Sequence, residues 1–350
     1  MAEGSENVNM KEGVTGALMR DLERGNFTRE TLTQALRCRD AEQAEMFALA
    51  RRRRSEHFPG EEVEVRSVIE VSNICQQGCK YCNMGLKSKQ EKYTIGYEGL
   101  LRLANFIYQK GRRVLLLQSG ENNAADFVSH LAQCVHELKR QQPDLAVILC
   151  CGNLSKAQYR QLHEAGASRY VLKFETSNAA LYGNLKPRDT LRRRLDCMET
   201  LLELGYAVGS GNMVGLPGQT HEDMVADLHL LGKYNLAMQS TTVFIPGESS
   251  AFRNEPMGDV DAALNMMALM RIMYPGRLIP TTSSLEKGRA DGQYWGLMAG
   301  ANTVTVHDGT PDEVKHLFPI YSTKRFTPQD GHFRQIVERA HLKFAPGVLK

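Results

Sequence analysis

Eight β-rich apolar runs separated by amphipathic segments constrain this chain of 350 residues more than any other feature. The runs fall at 65–73, 113–119, 145–151, 168–175, 206–215, 236–245, 277–283 and 302–307. Apolar residues at helical spacing fill 96–110, 124–141, 155–165, 189–204, 220–234 and 260–274. Such βα alternation demands a parallel sheet, because each return crossover needs room for a helix. Eight units predict an α/β fold, a (β/α)8 TIM-type barrel, with its site at the C-terminal ends of the strands. A six-strand partial barrel is the alternative, and the last two runs decide between them. Residues 10–60 read as an N-terminal helical extension and 61–308 as the barrel. Residues 309–350 read as a C-terminal tail with one more helix near 328–343, and 1–9 as disordered.

Composition narrows the function classes. A net charge of +3 with 24% charged residues gives no pull toward nucleic acid or a membrane surface. The run Arg51–Arg54 is followed by Glu56, Glu61, Glu62 and Glu64, so it reads as a solvated helix end. No apolar stretch of ~18 residues is present for a membrane span. The first residues lack the basic and apolar regions of a secretory leader. Eight cysteines without secretion predict a reducing, cytoplasmic compartment.

Three of those cysteines lie within eight residues, Cys75-Gln-Gln-Gly-Cys79-Lys-Tyr-Cys82, directly after the first predicted strand. Three thiolates on one loop are soft ligands for a cluster or a soft metal. A four-iron cluster held this way lacks one protein ligand, which leaves an iron open to a substrate or cofactor. Zinc normally takes four Cys or His ligands, and only Cys79 and Cys82 form a C-x2-C pair. Cys38, Cys134, Cys150, Cys151 and Cys197 have no ligand spacing and read as buried structural thiols.

The C-x3-C-x2-C spacing, with Tyr81 before the last cysteine, resembles the signature of the radical S-adenosylmethionine (SAM) superfamily. The resemblance implies that Cys75, Cys79 and Cys82 hold a [4Fe-4S] cluster whose open iron chelates SAM. Reductive cleavage of SAM would then yield a 5'-deoxyadenosyl radical. It further implies a small-molecule substrate and an electron donor such as a ferredoxin or flavodoxin.

The ends of the later strands supply matching residues. The second ends Leu117-Gln-Ser-Gly-Glu121, and by resemblance Ser119, Gly120 and Glu121 receive the amino end of SAM. In the fourth, Lys173 and Glu175 share a face by the strand period of two. Glu175 is placed to accept from ribose hydroxyls or the SAM ammonium. Arg194, in the following helix, suits a bidentate carboxylate clamp, whereas Arg192 and Arg193 read as solvent-facing. The run Gly211-x-Met213-x-Gly215 resembles the superfamily's adenine-binding strand, with Tyr81 near the adenine. Thr220 reads as the N-cap of the next helix. Thr241, Thr242, Thr281, Thr282, Ser283, His307 and Asp308 are candidates for the substrate side.

Over residues 15–310 the chain is similar to the group containing biotin synthase, the iron-only-hydrogenase maturase and methylornithine synthase. The maturase is matched at Leu117–Glu121, at Arg169–Leu172 with Glu175-Thr176, and at Met213–Thr220. Methylornithine synthase is matched at Ile279-Pro280, Leu285-Glu286, Asp291-Gly292 and Ala299–Asn302. Biotin synthase carries a second cluster on cysteines of the barrel strands. The matching positions here are Gln118, Ile148 and Gly209, which disfavours sulfur insertion. The maturase's optional second cluster motif is absent, since no cysteine follows Cys197. The maturase family carries Gly-Leu-Arg-Arg after the third cysteine, whereas this chain has Asn83-Met-Gly-Leu-Lys87. The segment 285–291 is expected at the substrate end. Maturase-like chemistry is the favoured expectation, methylornithine-synthase-like rearrangement the second, and a non-catalytic iron–sulfur carrier a third.

Overall fold

The computed structural model describes residues 16–318 and 330–345; the disorder expected for residues 1–9 lies outside them. Eight parallel strands follow one another around a barrel: β1 Glu62–Ser72, β2 Val114–Ser119, β3 Ala146–Cys150, β4 Arg169–Val171, β5 Ala207–Val214, β6 Met238–Val243, β7 Pro280–Thr281 and β8 Thr303–Val306. Neighbours pair in the order β6-β5-β4-β3-β2-β1-β8-β7. A bridge between Met238 and Leu278 brings β6 against the β7 line, so the barrel is nearly closed. All eight expected runs carry strands, which excludes the six-strand alternative.

Two strands are shorter than expected. β4 leaves its ladder after Val171 and touches β5 again only where Glu175 bridges Asn212. Glu175 has φ of +65°, a left-handed conformation that a regular strand cannot absorb. β7 has two residues, and Pro280 has no N–H to give a ladder.

Local chemistry sets the helix starts. Ser155 and Thr220 each close a capping box, with Gln158 and Asp223 respectively. The expected cap at Thr220 is therefore present. Asn178 and Asp259 cap the helices Ala179–Leu185 and Val260–Met273.

The helix Val260–Met273 buries twelve of its fourteen residues. It does so because the N-terminal helices Arg29–Leu36 and Asp40–His57 cover its outer face. Asn265 donates to the carbonyls of Leu36 (3.1 Å) and Cys38 (2.8 Å), so the extension is bonded to the barrel layer as well as packed on it.

The arginine run departs from its expected solvated role. Arg52 and Arg53 do face acids at the surface, Glu23 and Glu56. Arg54, however, is buried and donates to the carbonyls of Leu297 (2.8 Å) and Ala301 (3.1 Å), while Arg51 donates to Met298 O at 3.0 Å. The Leu297 and Met298 carbonyls lie in the last turn of the helix Gly292–Met298, which needs outside donors. The tail holds its expected helix, Asp330–Arg339, and also an unexpected short strand, β9 Lys343–Phe344, which pairs with the start of β1. No helix of the described residues is long and apolar enough to cross a membrane.

Candidate active site

The barrel interior is set by strand alternation. Arg66 on β1, Leu116 and Gln118 on β2, Ile148 and Cys150 on β3, Met238, Ser240 and Thr242 on β6 and Thr305 on β8 all point inward. Above them, at the C-terminal ends, opens a cavity of about 340 Å³. Cys75, Cys79, Cys82, Tyr81, Ser119, Gly120, Glu121, Glu175, Arg194 and Met213 all line it. Residues from five separate segments, nominated from the sequence, thus meet in one space.

The cysteine loop is held from three sides. Gln76 N–H donates to Glu121 O (2.8 Å), Lys80 N–H to Leu185 O (2.9 Å), and Gly247 N–H to Tyr81 O (2.9 Å). Gly120 lies so close beneath the loop that a Cβ there would stand 2.3 Å from Ile74 O and 2.7 Å from Cys75 Cβ. Only glycine fits that position. Burial pushes the Cys79 thiol up to about 11 and the Cys82 thiol to about 12. Such thiols ionise when a cationic metal replaces the proton. Among the described residues no three His, Cys, Asp or Glu side chains converge to hold a single metal ion. The ligands of a cluster each take a different iron and need not converge, so the donor set fits a cluster.

The wall next to the loop is a network of charges. Arg194 Nη2 reaches Glu121 Oε2 at 3.1 Å and Asp189 Oδ2 at 3.2 Å. Its Nε donates to Tyr182 Oη at 3.0 Å, and Tyr182 donates on to Asp189 at 2.6 Å. Gln77 donates to the other oxygen of Glu121 at 2.6 Å. Gly152, at φ of +79°, makes room for the Glu121 side chain, which would stand 2.2 Å from any Cβ. Lys173 Nζ lies 3.1 Å from Glu175 Oε2 and donates to Thr242 Oγ1 at 2.8 Å. Burial drives the Glu175 carboxyl up, but Lys173, Lys186 and Arg194 outweigh it and hold it below the ordinary value. Tyr81 and Met213 join Leu185, Leu216 and Phe244 in an apolar cluster, a surface suited to a flat ring. The expected solvent exposure of Arg192 and Arg193 is observed, with Arg192 paired to Asp196.

The opposite wall carries hydroxyls. Thr242, Thr282, Ser283, Ser284 and Thr305 line it, together with His307, whose Nδ1 meets Glu70 Oε1 at 3.1 Å. Of each neighbouring threonine pair one member faces in. Thr241 and Thr281 are buried outside the cavity, and Thr281 donates to Gln293 O. Asp308 faces Arg112 rather than the cavity.

Cys150, expected to be structural, lines the cavity, because it falls in the inward phase of β3. Sequence reasoning also missed Gln77 and Lys186; one lies between two of the cysteines, which was a usable signal, and the other carried none. The segment 285–291 does not line the cavity as expected. Leu285 is in the core and Glu286 accepts from Gln293 N–H, so Thr282–Ser284 occupy the rim instead. The methylornithine-synthase-like positions have structural partners. Asn302 Oδ1 accepts from Ile279 N–H (2.8 Å) and Arg271 (2.9 Å), and a Cβ on Gly292 would stand 2.3 Å from the Leu285 backbone. Asn302 and Gly292 thus serve the architecture, whereas Pro280 lines the cavity.

Comparison with known proteins agrees with this geometry. Residues 69–231 match the Radical SAM superfamily. The [FeFe] hydrogenase maturase subunit HydE of Thermotoga maritima is 37% identical over 88% of this chain and 87% of its own length. The 3-methylornithine synthase of Methanosarcina acetivorans is 24% identical over 76% of this chain and 75% of its own. The crystal structure of methylornithine synthase (PylB) shares the fold, with a TM-score of 0.81 and 22% identity over 94% of this chain and 98% of that one. The chain therefore belongs to the radical SAM superfamily of enzymes, in the family of the hydrogenase maturase subunit HydE.

Proposed function

We propose that this enzyme cleaves SAM reductively and turns the resulting radical on a small molecule held in the barrel, in a reaction of the hydrogenase-maturation type. The observation that carries this reading is the meeting of the three-cysteine loop with Glu121, Glu175 and Arg194 around one cavity. The 37% identity to HydE over most of both chains supports the maturase-type assignment over rearrangement of an amino-acid skeleton. In this reading Cys75, Cys79 and Cys82 hold a [4Fe-4S] cluster. When bound, the cluster and SAM supply one-electron chemistry that yields a 5'-deoxyadenosyl radical.

The chain's own residues bind and orient. Glu121, with Ser119 and Gly120, would accept the ammonium of SAM, and Arg194, which fixes the Glu121 carboxylate, would meet the SAM carboxylate. Glu175, kept ionised by Lys173, accepts from the ribose hydroxyls. Tyr81 and Met213 hold the adenine on an apolar face. The hydroxyl wall with His307 faces the substrate.

The test is anaerobic reconstitution with iron and sulfide, addition of dithionite and SAM, and measurement of 5'-deoxyadenosine. Production is expected in the wild type and at background in Cys79→Ala, with the barrel still folded by circular dichroism. A folded Cys79→Ala that still cleaves SAM would sink the cluster assignment.

A further inference from the structure

One buried cation of the cavity has no contacting counter-ion. Lys186 is 6% exposed and lines the same space as Cys75, Cys79 and Cys82. The charges beside it are matched without it. Arg194 holds Glu121 and Asp189, and Lys173 holds Glu175. Gln77 completes Glu121, while Tyr182 and Asn153 complete Asp189. The Lys186 ammonium pairs with no carboxylate among the described residues. It lies over the Tyr182 ring, 5.8 Å from the centroid.

The backbone sets this ammonium against the cysteine loop. The helix Ala179–Leu185 ends one residue before it, and Lys186 N–H closes that helix on Tyr182 O at 2.8 Å. The preceding carbonyl, Leu185 O, accepts from Lys80 N–H at 2.9 Å, between Cys79 and Tyr81. The two segments are thus bonded at the point where the ammonium enters the cavity. Of the charged groups near the Cys79 thiol, Lys186 acts on it most strongly, ahead of Arg194 and Glu175, and it acts on Cys82 as well.

An ammonium is costly to bury without an anion in contact. Counted with the network, Lys186 brings three cations against three carboxylates, so it balances the wall as a whole. Balance at a distance still leaves it without a contact. The three thiols lose their protons when a cluster binds, which makes the loaded site anionic, and more so after it gains an electron. A fixed cation nearby in a low dielectric stabilises the reduced form more than the oxidised one.

Resting on the radical reading above, we propose that Lys186 is the counter-ion of the cluster held by Cys75, Cys79 and Cys82 and raises its reduction potential. The step it eases is the transfer of one electron from an outside reductant, which is oxidised, to the cluster, which is reduced. No proton or leaving group moves in that step.

The experiment titrates the anaerobically reconstituted enzyme with dithionite against solution potential, without SAM, and reads the reduced cluster by electron paramagnetic resonance. At the potential where half of the wild-type clusters are reduced, the ratio of reduced to oxidised cluster in Lys186→Met is expected to fall about tenfold, a shift of about 59 mV to lower potential. Lys186→Arg keeps the charge and is expected to stay within about threefold of wild type. Arg192→Met, which removes an exposed charge from the helix Leu191–Glu203, is expected to leave the ratio unchanged. SAM affinity, read by equilibrium dialysis, is expected to change less than about threefold in Lys186→Met. An unchanged potential in folded, cluster-loaded Lys186→Met overturns the proposal. So does an equal shift in Lys186→Arg, which would assign the effect to packing. A loss of SAM affinity of about tenfold without a shift overturns it too, by making the SAM carboxylate the partner of Lys186. If Lys186→Met takes up no iron, uptake restored in Lys186→Arg supports the counter-ion, and failure in both variants overturns it. A wild type that holds no reducible cluster defeats the radical reading itself.

Discussion

The two walls of the cavity are built from different materials. The wall on β2 to β5 and the cysteine loop is a closed set of charges, in which Arg194 serves Glu121, Asp189 and Tyr182 at once. The wall on β6 to β8 is a row of hydroxyls and one histidine. A charge network has few solutions, because each buried ion must find its counter-ion or pay for desolvation. A hydroxyl both donates and accepts, so many arrangements satisfy it. In the reading proposed above, the first wall serves the cofactor and the second the substrate.

The sharpest way to break this comparison is to remove the centre of the charged wall. Arg194→Met leaves Glu121 and Asp189 without their buried counter-charge and is expected to cost about 3–5 kcal/mol, read from denaturant unfolding. A loss under about 1 kcal/mol would mean that the wall is not one coupled unit.

The next effect lies behind that wall. Asp227 is fully buried, accepts from Ser177 N–H and Oγ and from Asn212, and so anchors the two segments that carry Glu175 and Met213. Burial pushes its carboxyl from 3.8 up to about 6. The folded chain therefore binds this proton more tightly than the unfolded chain. That contribution is complete below about pH 3.8 and is lost as pH rises through about 6, some 3 kcal/mol at about 1.4 kcal/mol per unit. Asp227→Asn is expected to flatten the pH dependence of unfolding across that window. Asn212 Oδ1, which has no partner, can turn to accept the new amide. An unchanged slope in the variant would assign the pH dependence elsewhere.

The smallest effect is expected on the hydroxyl wall. Ser283→Ala should change stability by no more than about 0.5 kcal/mol. It should also leave substrate-free SAM cleavage within about twofold of wild type. Collapse of that cleavage would move Ser283 to the cofactor side and erase the division between the walls.

The charged wall was legible in part, while Gln77, Tyr182 and Asp189 joined it only in the folded chain. Cys75, Cys79 and Cys82 follow a strand within one loop, and Glu121, Glu175 and Met213 fall near the ends of strand-like runs, where the resemblance singled them out. Lys186 was not legible, since it follows a short helix with no motif around it and reaches the cavity only through the turn of the chain. The hydroxyl wall was half legible. Thr241-Thr242 and Thr281-Thr282 were visible as strand-end pairs, but a shift of one residue exchanges the inward and outward members. Arg54 shows the same limit at the surface. Its neighbours suggested a solvated helix end, and only the segment 297–301, far off in sequence, supplied the carbonyls that Arg54 meets.

What the amino-acid order determined by itself was the alternation of strands and helices, the cysteine loop at the first strand's end, and the placing of Glu121, Glu175 and Met213 at the ends of strand-like runs. Those follow from periodicity and spacing, which are local properties of a chain. What the tertiary structure alone decided was the inward phase of each strand and the place of Cys150 and Lys186 in the cavity. Each depends on ladder register and on contacts between segments far apart in sequence, and these exist only once the barrel has nearly closed.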